Sequence, residues 1–405
     1  MDEVFRGAYN AAFGESFFAA MRADLEAAVG GEIPFRVAET PVFLPTQLRD
    51  KMARAAQEIV GELSVPSFLD KMRPAIPERY RGAEAETTPE MVAVDFAVCR
   101  DADGELDARV IELQGFPSLY GLMVLWCEIL ERRFQSIPQL AGRWTNLFGG
   151  LDRARYVDLL GRTVLAGEAV ENVVLVDIKP RSQKTWPDFA ATEKLIGVRT
   201  VCVTEIEREG RELYYRRDGK RVPIRRIYNR MVCEELERVK PQMAFDFRDD
   251  LEVSFCTHPS WYFRWSKYSL PFLHHPAVPR ASFLSDVAAL PDDLGNYVLK
   301  PLFSFAGMGV NVTPTRADVE AVPAAERSNW MLQQKVEYAP ALRDVEGHGI
   351  KVEVRLMFLR PPEATAPTLA LNLARLSRGK MIGVDHNKDL PWTGGTLAMW
   401  PGENG

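Results

Sequence analysis

Residues 91–121, MVAVDFAVCRDADGELDARVIELQGFPSLYG, hold two β-rich runs, Val92 to Val98 and Arg109 to Leu113, on either side of a turn containing Asp101, Asp103 and Gly104. Apolar, β-branched runs flanking a short Asp/Gly segment predict a β-hairpin. Side chains two apart on a strand share a face, so Glu112 and Gln114 project together, and Asp95 can lie beside them from the other arm. Two carboxylates and an amide oxygen on one face are the hard donors Mg²⁺ takes, with its remaining positions left to phosphate and water. A solvated sheet face is the commoner fate of strand carboxylates. Glu112, however, sits inside the otherwise apolar Val110-Ile111-Glu112-Leu113-Gln114-Gly115-Phe116-Pro117, where an idle charge is costly.

Outward from the hairpin, LYGLMVLWCEILERRF (119–134) and RARYVDLLGRTVLAG (153–167) have apolar residues recurring at three and four and predict helices. On the N-terminal side, SFFAAMRADLEAAVGG (16–31) and LRDKMARAAQEIVGELS (48–64) form a helical lead-in punctuated by Pro41, Pro45, Pro66 and Pro74. From ENVVLVDIKP (171–180) the pattern becomes a short apolar run, the helical PDFAATEKLIG (187–197) and the apolar VRTVCVTEI (198–206), the rhythm of a βαβ unit with a parallel sheet. An α/β domain is therefore expected to begin near residue 165. GRELYYRRDGKRVPIRRIYNR (210–230) reads as strand, Asp218-Gly219 turn and strand, with Arg216, Arg217, Lys220, Arg221, Arg225, Arg226 and Arg230 crowding the arms. Such arginines suit a multiply carboxylated substrate or, equally, a solvated hairpin. After about residue 260 an α+β pattern returns: helical SKYSLPFLHH (266–275), then strand-like runs at 296–302, 330–338, 351–359 and 368–377.

The chain has 405 residues, 46% of them hydrophobic, enough to bury cores for two or three domains. A formal net charge of −6 provides no basic field for nucleic acid, so no nucleic-acid partner is expected. No run of about 18 apolar residues and no basic-then-apolar start occurs, which predicts a cytoplasmic protein without a membrane partner. The five cysteines lack a CxxC pair and the five histidines lack ligand spacing, so neither a disulfide framework nor a metal site is assigned to them.

Val298-Leu299-Lys300-Pro301 followed by Phe303-Ser304-Phe305-Ala306-Gly307-Met308-Gly309 is a strand delivering one lysine and then a loop of small residues. This suits phosphate, because glycine lets backbone N–H groups approach the oxygens and the ammonium neutralises charge. A strand ending in a glycine hairpin explains the same letters. Near the C-terminus, Glu353 and Arg355 share a strand face, and Arg375 lies on the presumed neighbouring strand on the face opposite Asn372; a surface ion pair accounts for Glu353 and Arg355 equally well.

Together these segments resemble the ATP-grasp superfamily, and their order resembles the circularly permuted members typified by eukaryotic-type glutathione synthetase and glutathionylspermidine synthase. Asp95-Phe96 with Glu112-Leu113-Gln114-Gly115-Phe116-Pro117 looks like the family's metal hairpin, here placed before the nucleotide segments. The resemblance implies an α+β / α/β architecture: a helical N-terminal segment (1–85), the metal hairpin and helices of the core (86–164), an inserted α/β substrate domain (165–260) and a nucleotide-binding domain (261–405). It also implies Mg²⁺ on Asp95, Glu112 and Gln114. ATP would be bound by Lys267, Lys300, Ser304, Ala306, Gly307, Gly309, Arg355 and the hinge residues Gln333, Gln334, Val336 and Glu337. Lys300 and Arg375 would be catalytic, and Arg230 and Arg375 would hold substrate. Gln114 replaces the family's asparagine, Gln334 the hinge acid, and Ser304 an acid of the glycine loop. The implied activity joins a carboxylate to an amine through an acyl phosphate; a nucleotide-binding protein without ligase activity and a small-molecule kinase are the alternatives. A homodimer is the expectation by analogy.

Overall fold

The computed structural model describes residues 1–82, 89–304, 308–379 and 389–402. The hairpin forms as read, with strands Met91–Arg100 and Leu106–Gln114. It is completed by chain from the far end of the sequence. The central antiparallel sheet runs Gly394–Thr396, Thr368–Ser377, Gly349–Leu359, Met91–Arg100, Leu106–Gln114, with Leu342–Arg343 pairing along Gly349–Leu359. Its middle strands are buried almost throughout, which is why they read as near-continuous apolar runs with single charged residues interposed.

Helix Tyr120–Phe134 packs against this sheet, burying Leu122, Met123, Val124, Trp126, Ile129 and Leu130. The N-terminal helices Glu3–Ala12, Glu15–Val29 and Thr46–Leu63 are joined to the same core through Val42–Phe43, which pairs in parallel with Ala398–Pro401. Phe43 is fully buried among Tyr9, Phe134 and Trp144, the last at 5.2 Å between ring centroids in an edge-on contact.

The βαβ rhythm gives a four-stranded parallel sheet ordered Ser254–Cys256, Arg226–Asn229, Val173–Asp177, Arg199–Cys202, with helix Trp186–Ile196 as its crossover. The hairpin Glu212–Arg217 and Lys220–Ile224 turns at Asp218, φ +50°, and Gly219, φ +78°. A third sheet, Ala281–Phe283, Trp330–Gln334, Tyr297–Pro301, has its own small core of Leu284, Leu294, Leu299, Val319, Val322 and Leu332. Two sequence readings change: the strand-like run 330–338 ends as a strand at Gln334, and SKYSLPFLHH is a 3₁₀ segment, Lys267–Phe272, after the short helix Ser260–Arg264. Pro271 removes an amide donor and shortens the turn there. Among the described residues no helix is long and apolar enough to cross a membrane.

Candidate functional site

The hairpin carries a bulge. Asp95 pairs with Glu112 and Phe96 with Val110, so Ile111 has no partner across the ladder. Its carbonyl accepts instead from Lys300 Nζ at 3.3 Å. The bulge thus re-aims Glu112 and gives the lysine of the neighbouring sheet a backbone anchor on the hairpin.

Across the central sheet, Glu112 stands opposite Asp95, Asp95 opposite Arg355, and, one pleat away, Glu353 opposite Arg375. Residues directly opposite or two apart share a face, so all five side chains meet on one side of the sheet, with Gln114 next to Glu112. Arg355 forks Asp95, its Nε and Nη2 at 2.6 Å from the two carboxylate oxygens, and Arg375 Nη2 reaches the same carboxylate at 2.7 Å. Arg375 also pairs with Glu353. Asp95 is fully buried, Glu353 and Arg355 nearly so, whereas Arg375 and Glu112 keep 24% and 28% of their side chains exposed. The cluster therefore opens to solvent through those two residues.

Lys267, at the start of its 3₁₀ turn, lies 3.2 Å from Glu112 Oε1 and donates to the Ser304 carbonyl at 2.9 Å. Its placement depends on Gly115. The Gly115 amide donates to the Trp265 carbonyl at 2.7 Å, and a Cβ on Gly115 would meet the Trp261 carbonyl oxygen at 2.3 Å. Lys300 is held by Gln333 Oε1 at 2.6 Å. Gln114 Nε2 is 3.3 Å from Glu112 Oε2.

Burial pushes the Glu112 carboxyl up, but Lys267, Arg355, Arg375 and Lys300 outweigh it and hold the group down at about 2. Burial depresses the Lys300 ammonium to about 8, partly opposed by Glu112. Glu353 moves the other way: burial raises its carboxyl, against the attraction of Arg375. The cluster holds Lys267, Lys300, Arg355 and Arg375 against Asp95, Glu112 and Glu353, four cations to three carboxylates, an arrangement that favours an incoming anion. Two buried donors, Gln333 Nε2 and Arg375 Nε, have no acceptor among the described residues.

Of the sequence-predicted residues, Asp95, Glu112, Gln114, Lys267, Lys300, Ser304, Gln333, Arg355 and Arg375 come together. Gln334, the last residue of strand Trp330–Gln334, is exposed; in the segment after it Val336 is half-buried and Glu337 exposed, pairing with Lys335 at 3.3 Å. Gly309 has φ +74°, a left-handed turn after the loop; Ala306 and Gly307 lie outside the described residues. Both Asp95 oxygens accept from guanidinium groups, Oδ1 from Arg355 and Oδ2 from Arg355 and Arg375, so its carboxylate is shared with those two arginines. Arg230 is buried and pairs with Asp188 at 2.7 Å, while stacking over Phe189 and Tyr228, so its guanidinium faces the interior rather than an open site. Along the arginine-rich hairpin, Arg216 pairs with Glu207, Arg221 with Glu207 and Glu209, and Arg225 with Glu212 and Glu252, all largely exposed: a solvated ion-pair ladder.

Two residues, Tyr338 and Asp188, are not flagged by the sequence, and a third, Glu353, is flagged without its partner. Tyr338 donates to Glu353 at 3.1 Å. Glu353 is recognisable as a strand charge in an apolar run, but its partner Arg375 is set by register. Asp188 accepts from the amides of Leu119, Gly121 and Leu122, capping helix Tyr120–Phe134 just after the hairpin while also receiving Arg230. It fixes Leu119 in a left-handed conformation, φ +78°.

No family model and no characterised protein sequence matches the chain. Among solved structures it is similar to a glutathione synthetase-like effector from Globodera pallida in its apo form, with a TM-score of 0.61 at 10% sequence identity, covering 91% of this chain and 96% of that one. What is shared at this identity is the fold: a glutathione synthetase-like, mixed α/β arrangement of several sheets.

Proposed function

We propose that the chain is an ATP-dependent carboxylate–amine ligase of the circularly permuted ATP-grasp type, with Lys267, Lys300 and Arg375 as its polyphosphate site. The supporting observation is the convergence of these cations, from three separate elements, around Glu112, with a net positive charge and orphaned buried donors at Gln333 and Arg375. Acceptor-rich phosphate oxygens answer both features. The proposed division is a helical N-terminal segment (1–85), hairpin and core helices (86–164), an α/β substrate domain (165–260) and the nucleotide domain (261–405). Adenine would lie along the segment from Gln333 to Glu337.

Glu112 and Gln114 fit a Mg²⁺ carried in with the polyphosphate, because both are side by side and Glu112 is partly open to solvent. Such an ion would add positive charge at the phosphoryl oxygens. Asp95 serves instead to hold Arg355 and Arg375. Lys267 and Lys300 orient the polyphosphate. A substrate carboxylate oxygen would attack the γ-phosphorus with ADP leaving, and the amine nitrogen would then attack the acyl carbon of the acyl phosphate, expelling phosphate and giving up a proton to solvent. Arg375 faces the transferred phosphoryl group and the substrate carboxylate, so positioning and electrostatics carry the reaction.

The test is ADP and phosphate release from Mg-ATP across a panel of carboxylates and amines. Release that needs both co-substrates supports the ligase. ADP formation with a phosphorylated hydroxyl and no free phosphate supports a kinase. Nucleotide binding without turnover on any pair supports a binding protein, a reading favoured by the uncharged Ser304 and the commitment of Asp95 to two arginines.

A further inference from the structure

We infer that Tyr338 is a positioning residue for Arg375, acting through Glu353; this rests on the ligase reading, in which Arg375 meets the phosphate end of ATP. The Arg375 guanidinium is held through its Nη2 by two carboxylates, Asp95 at 2.7 Å and Glu353 directly across the ladder. Each of these carboxylates is itself fixed by another group. Asp95 is forked by Arg355 through two bonds of 2.6 Å, and Glu353 Oε2 receives the Tyr338 hydroxyl at 3.1 Å. Arg375 is thus buttressed from the protein side while a quarter of its side chain stays exposed, and its Nε has no acceptor.

Without the phenol, one buttress loosens. Glu353 is buried, and burial already disfavours its charged form, so the donor from Tyr338 helps keep it an acceptor for Arg375. The connection along the chain adds weight. Gln333, five residues before Tyr338, holds the Lys300 ammonium, so one short segment fixes both a phosphate-binding lysine and the placement of the phosphate-facing arginine. A nucleotide seated along this segment would meet Arg375 already aimed.

The experiment is calorimetric titration of Mg-ATP and, separately, of AMP into wild type, Tyr338→Phe, Arg375→Met and the double variant. The expected result is an ATP affinity weakened severalfold in Tyr338→Phe, because Arg375 is less firmly aimed, with AMP affinity unchanged and no further loss in the Arg375→Met background. Glu353→Gln, which keeps the shape and removes the charge, should show the same ATP-selective loss and serves if Tyr338→Phe does not fold. Equal weakening of ATP and AMP, or the full loss persisting in the Arg375→Met background, would reduce Tyr338 to packing and overturn the inference while leaving the ligase reading intact. Wild type that binds no ATP would overturn both.

Discussion

Lys267 Nζ lies 3.2 Å from Glu112 Oε1, so the first lysine of the proposed nucleotide site is held by the hairpin strand that carries the proposed metal donors. Glu112 is the shared counter-charge of both lysines and of Arg375. Its carboxyl is held at about 2, below the ordinary 4.5, so it contributes stability that is present above pH 4.5 and is lost as pH falls through about 2. Glu112→Gln should flatten that acid limb in denaturant titrations run between these values. It should also weaken Mg-ATP binding at neutral pH by about tenfold or more. An unchanged acid limb would contradict the assigned charge state.

Lys300 is depressed in the folded state to about 8 from 10.5. Its ammonium is therefore lost as pH rises through about 8, and ATP affinity should fall above that point; in Lys300→Arg, whose charge persists, the fall should disappear. The stability effect has the opposite sense. Between about 8 and 10.5 the unfolded chain binds more protons at this position than the folded one, so Lys300 makes stability rise with pH across that window. Lys300→Met should lack the rise, read from denaturant midpoints at pH 8 and pH 10.

Much of the fold is legible in the sequence because the hairpin, the βαβ unit and the core strands are short apolar runs with periodic charges, and local pattern suffices for them. The site is legible residue by residue but not in its pairings. Asp95 looks like a metal donor from the hairpin alone; only the register of Gly349–Leu359 against Met91–Arg100 puts Arg355 opposite it. Tyr338 gives no signal, since it lies in a loop and acts on a strand that follows it. Arg230 looks like a substrate residue by resemblance, and only packing reveals Asp188 beside it. The 3₁₀ turn at Lys267–Phe272 is hidden because its apolar spacing fits a regular helix apart from Pro271.

Asp188 and Arg230 form a buried pair that also caps the helix following the hairpin. Asp188→Ala leaves an unpaired buried guanidinium and uncapped amides, and should cost about 3 to 5 kcal/mol in urea unfolding. Arg230→Met should lower stability by a similar amount. An unaltered unfolding midpoint combined with weaker substrate binding would return Arg230 to the substrate site.

Gly115→Ala tests how the hairpin seats Lys267. The added Cβ would meet the Trp261 carbonyl oxygen at 2.3 Å, so backbone must shift where Ser260–Arg264 leads into Lys267. The expected cost is about 1 to 3 kcal/mol in thermal or chemical unfolding, with ATP affinity reduced along with it. A variant as stable as wild type would show that this close approach is not required.

Lys300 and its neighbours are proposed to bind the phosphates of ATP. Calorimetric titration of ATP, with and without Mg²⁺, into wild type and Lys300→Ala decides it. Mg²⁺-dependent binding to wild type that is lost in Lys300→Ala is the expected result. Absence of binding under both conditions, or equal affinity for the two proteins, would contradict it.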